Sequence, residues 1–404
     1  MSDASQPSRN QNIKILTVRS LLYGIFQRIF MVIRQPFILS LNPSVAVMGF
    51  LEGLGGFQGL IPAFFQPFFG WISDRMQRKP FIVLGSILME LSLILFFVSG
   101  LTSNFFLIVP AVILTATSLL SIPIIDSLIA ESVEKSQRSV AYNKILLATM
   151  APGIFSPFIG GILADRFGFI SVLAIGIVIQ FIIIFLLVSF LNEGPFEKGA
   201  VNFSELRLFI LRNFSPSRHL RNLYWMNAID AISVGLGPLI LYGLLRLQFN
   251  YSNSQLGILA TVNAVSMVLT QIVISRRISN YVTKKLLLLN SVGYLVYVLG
   301  IAVSNNFLIF LLLEILMGIL IALWNPAHKT LLANSVNKSA RAEAMGRVTL
   351  YRGIFGFPAA FIGGILYEHF GYSAPLWGCF IFGIALTYYI YFHIHIKDKR
   401  LIEK

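Results

Sequence analysis

The stretch Phe158-Ile159-Gly160-Gly161-Ile162-Leu163 occurs twice in this chain. It returns 203 positions later, about half the chain length, as Phe361-Ile362-Gly363-Gly364-Ile365-Leu366. Just beyond it, Phe167-Gly168 matches Phe370-Gly371 at the same offset. Further matches at this offset are Pro123 with Pro326, Ser132 with Ser335, Lys135 with Lys338 and Arg138 with Arg341. So many matches at one fixed offset indicate an internal duplication, and the sequence therefore predicts two related halves.

The composition indicates a lipid environment. Of the 404 residues, 56% are hydrophobic and only 12% are charged, and the mean hydropathy is +0.78. Average soluble domains carry about a quarter charged residues. The apolar runs are roughly 20 residues long, which suits a membrane-spanning helix, and they lack the alternation over about 10 residues that marks barrel strands. We therefore predict an all-α integral membrane protein.

Twelve apolar runs give the predicted membrane spans, six in each half of the chain. They fall near 14–40, 46–71, 80–99, 105–130, 142–164 and 170–191, and then near 223–247, 254–276, 285–303, 306–331, 347–368 and 372–395. An even number of spans per repeat makes the two repeats parallel, related by an axis along the membrane normal. We predict two six-helix bundles, residues 1–195 and 222–404, joined by a cytoplasmic linker at 196–221.

The linker leaves two interpretations open. Phe203, Leu206, Ile210 and Phe214 are spaced for one face of a short helix, with basic residues beside them. Such a helix would lie on the cytoplasmic membrane surface. The alternative is a plain charged linker.

The basic residues predict the orientation of the chain in the membrane. The formal net charge is +14, and the Lys and Arg residues are concentrated in the connections on one side, whereas the other side keeps only Arg166 and Arg246. Cytoplasmic loops are the ones enriched in Lys and Arg. Both termini are therefore expected in the cytoplasm, with the chain in the plasma or cytoplasmic membrane. The positive charge then needs no nucleic-acid partner.

The loop after the second span carries a recognisable motif. It reads Gly70-Trp71-Ile72-Ser73-Asp74-Arg75-Met76-Gln77-Arg78-Lys79 and resembles the signature loop of the major facilitator superfamily, although Gln77 replaces the usual second Gly. The resemblance extends over nearly the whole chain and implies a twelve-helix secondary transporter with two parallel repeats.

The same loop is a candidate cytoplasmic gate, made of Gly70, Asp74, Arg75, Arg78, Glu131 and Arg138. A carboxylate is stabilised near a helix N-terminus, and the resemblance implies that Asp74 meets the start of the eleventh span. We expect Arg78 to pair with Glu131 at the end of the fourth span. The alternative is a topology signal with no gating role.

The fifth span contains a second motif. Gly153-Ile154-Phe155-Ser156-Pro157-Phe158-Ile159-Gly160-Gly161 resembles the Gly-Pro-x-x-Gly-Gly stretch of the superfamily's drug-type antiporters, with Ser156 in place of a Gly. Its packing residues are Pro157, Gly160 and Gly161. Small residues let helices approach closely, so ordinary packing is the alternative reading.

Charged residues at membrane depth are costly and usually functional. The candidates for substrate or coupling contacts are Arg28 in span one, Asp230 in span seven, and Glu314 and His328 in span ten. The resemblance implies that these spans line a central cavity. Arg28 is expected either to bind substrate or to pair with Asp230 or another carboxylate. Asp230 or Glu314 could carry a coupling proton.

Motifs of other function classes are missing from the sequence. It has no Gly-x-x-x-x-Gly-Lys-Ser/Thr loop, no metal motif and no catalytic cluster, so we expect neither an enzyme nor a cofactor. We predict a monomeric secondary transporter in which the two halves rock around a midplane site, exporting small amphipathic compounds by proton antiport. The alternatives are uptake of a small organic anion or other solute by symport or facilitated diffusion, and a non-transporting receptor.

Overall fold

The computed structural model describes residues 6–56, 59–73, 75–134, 137–192, 204, 220–275, 284–335 and 341–394. These residues form helices and short connections, and no strand occurs among them. The helices are α1 Gln6–Leu41, α2 Val45–Gly55, α3 Leu60–Ser73, α4 Arg78–Thr102, α5 Ile108–Ser118, α6 Ser121–Glu131, α7 Arg138–Met150, α8 Ser156–Phe190, α9 Arg221–Leu236, α10 Leu241–Phe249, α11 Asn253–Ser275, α12 Lys284–Val303, α13 Phe307–Asn334, α14 Arg341–Phe370 and α15 Ser373–His393. The predicted linker helix falls outside the described residues.

Helix α8 contains the end of the predicted fifth span and almost the whole of the predicted sixth span. Eleven helical stretches in the described residues are long and apolar enough to cross a bilayer, and Ser156–Phe190 counts as a single one of them. Its 35 residues would extend about 52 Å as a straight helix, well beyond a hydrocarbon core of about 30 Å. Gly168 interrupts it with φ 79° and ψ 166°. The predicted fifth and sixth spans therefore meet at Gly168, and the helices are consistent with twelve spans.

The same turn recurs in the second half. Gly371, which lies between α14 and α15, has φ 82° and stands 203 positions after Gly168. Glycine adopts this left-handed backbone conformation without the steric cost that a side chain would add. The duplicated Phe-Gly pair in the sequence thus marks a duplicated turn in the structure.

Several predicted spans are interrupted. The second span is split into α2 and α3, the fourth into α5 and α6, and the seventh into α9 and α10 around a 3₁₀ turn at Pro238–Ile240. A second 3₁₀ turn, Ala151–Ile154, separates α7 from α8. Each of these two turns contains a proline, which lacks an N–H and cannot sit in a regular helix interior without disturbing it. Hydropathy averages over such breaks, so the sequence predicted continuous helices.

Residue contacts divide the chain into two compact units. Unit 1 comprises Met1–Pro43, Leu54–Leu211 and Asn250–Thr261, and unit 2 comprises Ser44–Gly53, Arg212–Phe249 and Val262–Lys404. The division follows the two halves of the sequence except for two short segments. Ser44–Gly53 packs within unit 2, and Asn250–Thr261 packs within unit 1. We refer to these two pieces as the exchanged segments.

Each unit has an aliphatic core. In unit 1 the core includes Leu16, Ile82 and Leu187, which come from α1, α4 and α8. In unit 2 it includes Leu287 from α12 and Ile390 from α15. Where these side chains would otherwise be exposed to water, their burial is the main contribution to the stability of the fold.

The outward faces of the spans are also apolar. On α8, Phe181, Phe185 and Val188 lie on one helix face and are exposed. An apolar stripe that faces outward on a membrane-spanning helix is in contact with lipid rather than water. The exposed aromatic and aliphatic side chains are therefore the expected lipid-facing surface.

Candidate functional site

Glu314 is a buried carboxylate in unit 2 with neutral partners. It is 4% exposed and lies on α13. Its Oε2 accepts a hydrogen bond from Asn263 Nδ2 at 2.8 Å, and its Oε1 accepts one from Tyr297 Oη at 3.3 Å. Within the described part of the chain, neither lysine nor arginine pairs with it. Three helices, α11, α12 and α13, thus supply one polar cluster without a cation.

A glycine brings two of these helices together. A Cβ on Gly318 of α13 would lie 2.4 Å from the carbonyl oxygen of Asn263 on α11, so only glycine permits this spacing. Ser266 Oγ then donates to the carbonyl oxygen of Ile315 at 2.7 Å. The close approach of α11 to α13 holds the Asn263 amide within reach of Glu314.

Asp230 is neutralised in a different way. It is 7% exposed on α9 and forms an ion pair with Arg352 of α14. Arg352 Nη1 also donates to Asn227 Oδ1 at 3.4 Å. The observed partner of Asp230 within unit 2 is therefore Arg352, whereas the sequence suggested Arg28 as one candidate. The sequence did contain evidence for this pair, because Arg352 is a charged residue inside the predicted span 347–368.

The single cysteine belongs to a buried polar cluster of unit 2. Cys379 on α15 is buried. Its Sγ lies 3.2 Å from Tyr294 Oη, and its carbonyl oxygen accepts a hydrogen bond from Ser233 Oγ at 2.9 Å. These contacts tie α15 to α12 and α9.

The other two predicted substrate or coupling residues are Arg28 in unit 1 and His328 in unit 2. Arg28 is half-buried on α1, in unit 1. His328 lies on α13 and stacks on Trp324, with ring centroids 6.0 Å apart and an interplanar angle of 5°. It is fourteen residues from Glu314, about 21 Å along a helix. His328 therefore does not belong to the polar cluster around Glu314.

The predicted ion pair beside the signature loop is present in unit 1. Arg78 Nη2 lies 2.5 Å from Glu131 Oε1. Nearby, Arg138 Nε donates to the carbonyl oxygen of Ala130 at 3.0 Å, and the Arg75 guanidinium stacks 3.9 Å from the centroid of Trp71. Gly70 is near Pro123, to which a Cβ would come within 3.9 Å. Asp74 lies outside the described residues.

The glycine motif of the fifth span is a packing surface. A Cβ on Gly161 would lie 2.3 Å from the carbonyl oxygen of Asn253, and one on Gly160 would lie 2.5 Å from the side chain of Ile29. The carbonyl oxygen of Pro157 lies 2.5 Å from the place where a Cβ on Gly257 would sit. These residues let α8 approach α1 and α11 closely.

Comparison with known proteins gives the family. The sequence profile described as Major Facilitator Superfamily matches residues 16–237 and 223–403. The chain belongs to this superfamily. The resemblance drawn from the signature loop and from the repeat is thereby confirmed, as is the all-helical major facilitator fold.

Curated superfamily relatives include the multidrug resistance protein MdtG of Salmonella newport (strain SL254) and of Salmonella typhi. Each is 24% identical to this chain over 354 residues, which covers 85% of this chain and 84% of the relative.

Solved structures show the same fold at low sequence identity. The nucleoside transporter NupG superposes with a TM-score of 0.73 at 13% identity, covering 95% of this chain and 99% of its own. The D-xylose-proton symporter gives 0.71 at 12% identity, covering 96% and 98%. The human organic anion transporter MFSD10 (TETRAN) gives 0.66 at 17% identity, covering 95% and 100%. This superfamily member is a multi-pass membrane transporter and not an enzyme.

Proposed function

We propose that this transporter exports small amphipathic compounds in exchange for protons, by alternating access of residues 1–195 and 222–404. The 24% identity to MdtG, a multidrug resistance protein, over most of both chains supports the substrate class. The glycine motif that resembles that of drug-type antiporters agrees with it. The proposed coupling ion rests on Glu314.

The single observation that carries the coupling proposal is the neutral surrounding of Glu314. A charge at membrane depth is costly and needs compensation. Arg352 compensates Asp230, whereas the partners of Glu314 are an amide and a phenol. Binding a proton removes the charge of Glu314 and leaves both partners able to hydrogen-bond to the carboxylic acid. Glu314 is therefore our proposed proton carrier, and Asp230 has a structural role.

The test is transport in proteoliposomes with an imposed pH gradient and a fluorescent amphipathic cation as substrate. Glu314→Gln keeps the hydrogen-bonding shape but cannot release a proton. We expect it to lose at least about tenfold in gradient-driven transport, because an amide cannot bind and release the coupling proton that an intramembrane carboxylate carries. Substrate exchange without a gradient should persist. Glu90→Gln, which changes another carboxylate within a span, is the matched control. Full gradient-driven transport by Glu314→Gln would overturn the coupling proposal.

A second candidate is uptake of a small organic anion, favoured by a cationic side chain on α1. Arg19 is 9% exposed, its Nε has no hydrogen-bond partner, and its guanidinium lies 4.5 Å from the ring centroid of Tyr23. A guanidinium of this kind can recognise a carboxylate through two parallel hydrogen bonds. In the same proteoliposomes, this candidate requires accumulation of an anionic substrate, with no movement of the cation.

The proposed transport cycle includes a gate on the cytoplasmic side. We assign it to the signature loop with Gly70, Asp74 and Arg75, and to the Arg78–Glu131 pair. We propose that both termini lie in the cytoplasm, which the concentration of Lys and Arg in the connections on one side supports. The transporter is proposed to act as a monomer.

A further inference from the structure

A carboxylate from one helix caps the start of another in unit 1. Asp165 of α8 accepts hydrogen bonds on Oδ1 from the backbone N–H of Asn253 at 3.0 Å and from its Nδ2 at 2.8 Å. Its Oδ2 accepts from the backbone N–H of Ser254 at 2.8 Å and from the Ser254 hydroxyl. The N-terminal N–H groups of a helix lack intrahelical partners, and Asp165 satisfies two of those of α11.

Unit 2 contains a second cap of the same kind. Glu368 of α14 accepts hydrogen bonds on Oε1 from the Ser44 hydroxyl at 2.7 Å and from the backbone N–H of Ala46 at 3.0 Å. These groups belong to the start of α2. Again a carboxylate three residues before a left-handed glycine is bonded to the N-terminus of another helix, where the helix dipole favours negative charge.

The two caps occupy equivalent positions in the duplicated sequence. Glu368 stands 203 positions after Asp165. The capped segments also correspond, at an offset of 208 positions: Asn42 with Asn250, Ser44 with Ser252, Met48 with Leu256, and Gly49 with Gly257. The caps therefore belong to the repeated architecture.

The caps hold the exchanged segments in place. Ser44–Gly53 and Asn250–Thr261 are the two segments that pack within the unit opposite to their own half of the sequence. Next to the caps, the backbone of each exchanged segment packs directly against the backbone of a neighbouring helix. A Cβ on Gly49 would lie 2.2 Å from the carbonyl oxygen of Ala360, and one on Gly257 would lie 2.5 Å from that of Pro157. The cap carboxylates are thus polar contacts at the ends of tightly packed, apolar helix pairs.

We propose that Asp165 and Glu368 are a matched pair of gate latches on the membrane face opposite the signature loop. The inference rests on the proposed alternating-access transport, in which the exchanged segments must leave their present partners once per cycle. Both caps lie beside connections that follow odd-numbered spans, so the chain topology assigns them to one membrane face. Each latch holds its exchanged segment through the charge and hydrogen bonds of one carboxylate, and both must release before this face opens.

The test uses thiol labelling at two buried reporter positions. Met48 and Leu256 are both 0% exposed and lie just inside the two caps. Met48→Cys and Leu256→Cys are made separately and labelled with a hydrophilic maleimide in nanodiscs, where both membrane faces are reachable. Removing one helix cap changes an opening equilibrium by about fivefold. We expect Asp165→Asn to speed labelling of Leu256→Cys by about that factor, and Glu368→Gln to do the same for Met48→Cys. The double variant should speed both further, because opening this face requires both latches to release.

Two controls make the outcome decisive. Arg166→Gln changes an exposed charge beside Asp165 without touching the cap, and it should leave labelling unchanged. The native Cys379 is buried in the core of unit 2 and reports global unfolding. Unchanged labelling of both reporters in the double variant overturns the proposal, as does equally faster labelling of Cys379. Because labelling is measured without substrate or gradient, its result is independent of the proton-export assay.

Discussion

Two buried carboxylates of unit 2, Asp230 and Glu314, are compensated by different chemistry. Asp230 has the guanidinium of Arg352, whereas Glu314 has the neutral groups of Asn263 and Tyr297. A buried ion pair leaves a costly charge behind when one partner is removed. A protonated carboxylic acid with neutral partners leaves none. The two residues should therefore respond differently to loss of their partners.

We expect Arg352→Gln to lower the free energy of unfolding by about 3 kcal/mol, because it leaves the Asp230 carboxylate buried without its cation. Adding Asp230→Asn should recover about half of that loss, because the remaining pair is neutral. The measurement is reversible unfolding in mixed micelles. Equal destabilisation of the single and the double variant would show that the Asp230 charge is compensated by another group.

A contact between two side chains was predictable from the sequence only where both residues are charged and their charges are opposite. The Arg78–Glu131 pair was found because opposite charges stood at the ends of neighbouring spans. Asn263 and Tyr297 gave no such signal, since amides and phenols are frequent in membrane helices and their partner lies on another helix. The Asp165 cap was missed for a related reason, as its partners are backbone groups and uncharged side chains 88 residues or more away.

At the scale of helices, close glycine contacts set the spacing between neighbours. A Cβ on Gly364 of α14 would lie 2.4 Å from Cα of Ala46. This is a backbone atom, which cannot relieve the clash by a change of rotamer. On the same helix, a Cβ on Gly356 would meet its nearest atom, the carbonyl oxygen of Ala231, at 3.6 Å. The same substitution at these two positions should therefore have different consequences.

We expect Gly364→Ala to lower the apparent melting temperature by about 5 °C, because forcing a methyl group into a filled contact costs about 1–3 kcal/mol. Gly356→Ala should leave it unchanged or raise it slightly, since alanine favours helix over glycine. Thermal unfolding of the purified proteins, followed by size-exclusion chromatography, measures both. A similar loss for the two variants would mean that helix spacing here is not set by the Gly364 contact.

The extent of the helices was largely predictable, and their breaks were not. Long apolar runs gave α11, α12 and α15 within a few residues of their observed ends. The interruptions at Pro238–Ile240 and Ala151–Ile154 depend on local backbone geometry and not on hydropathy. α1 also begins at Gln6, well before its apolar run near residue 14, because polar residues can continue a helix beyond the bilayer.

For the whole molecule, the duplication is visible at every level of structure. The repeated sequence carries a repeated glycine turn and a repeated carboxylate cap, each at the offset of 203 positions. The exchanged segments were not predictable, because a repeat shows which pieces are equivalent but not which ones pack together. The division of the chain into transport halves at 195 and 222 stays a prediction.

We expect Asp74→Asn to reduce transport at least about tenfold while insertion and expression are unchanged. The resemblance of the signature loop implies that this carboxylate meets the start of the eleventh span, where negative charge is favoured. Asp74 lies outside the described residues, so this prediction rests on the signature loop. Glu134→Gln, which removes an exposed carboxylate on a loop of the same face, is the control. Normal transport by Asp74→Asn would mean that the loop determines only the membrane topology and has no gating role.

The glycine turns at Gly168 and Gly371 also have a consequence for biogenesis. Each joins two spans with almost no intervening chain. One span of such a pair therefore cannot insert into the bilayer while the other remains in water. Such short connections favour insertion of the two spans as a helical hairpin. With both termini in the cytoplasm, as we propose, the first hairpin carries Asp165 and Arg166 across the membrane at its tip. Such a tip crosses most readily when its opposite charges neutralise each other. The pairing of neighbouring spans during insertion thus depends on two glycines.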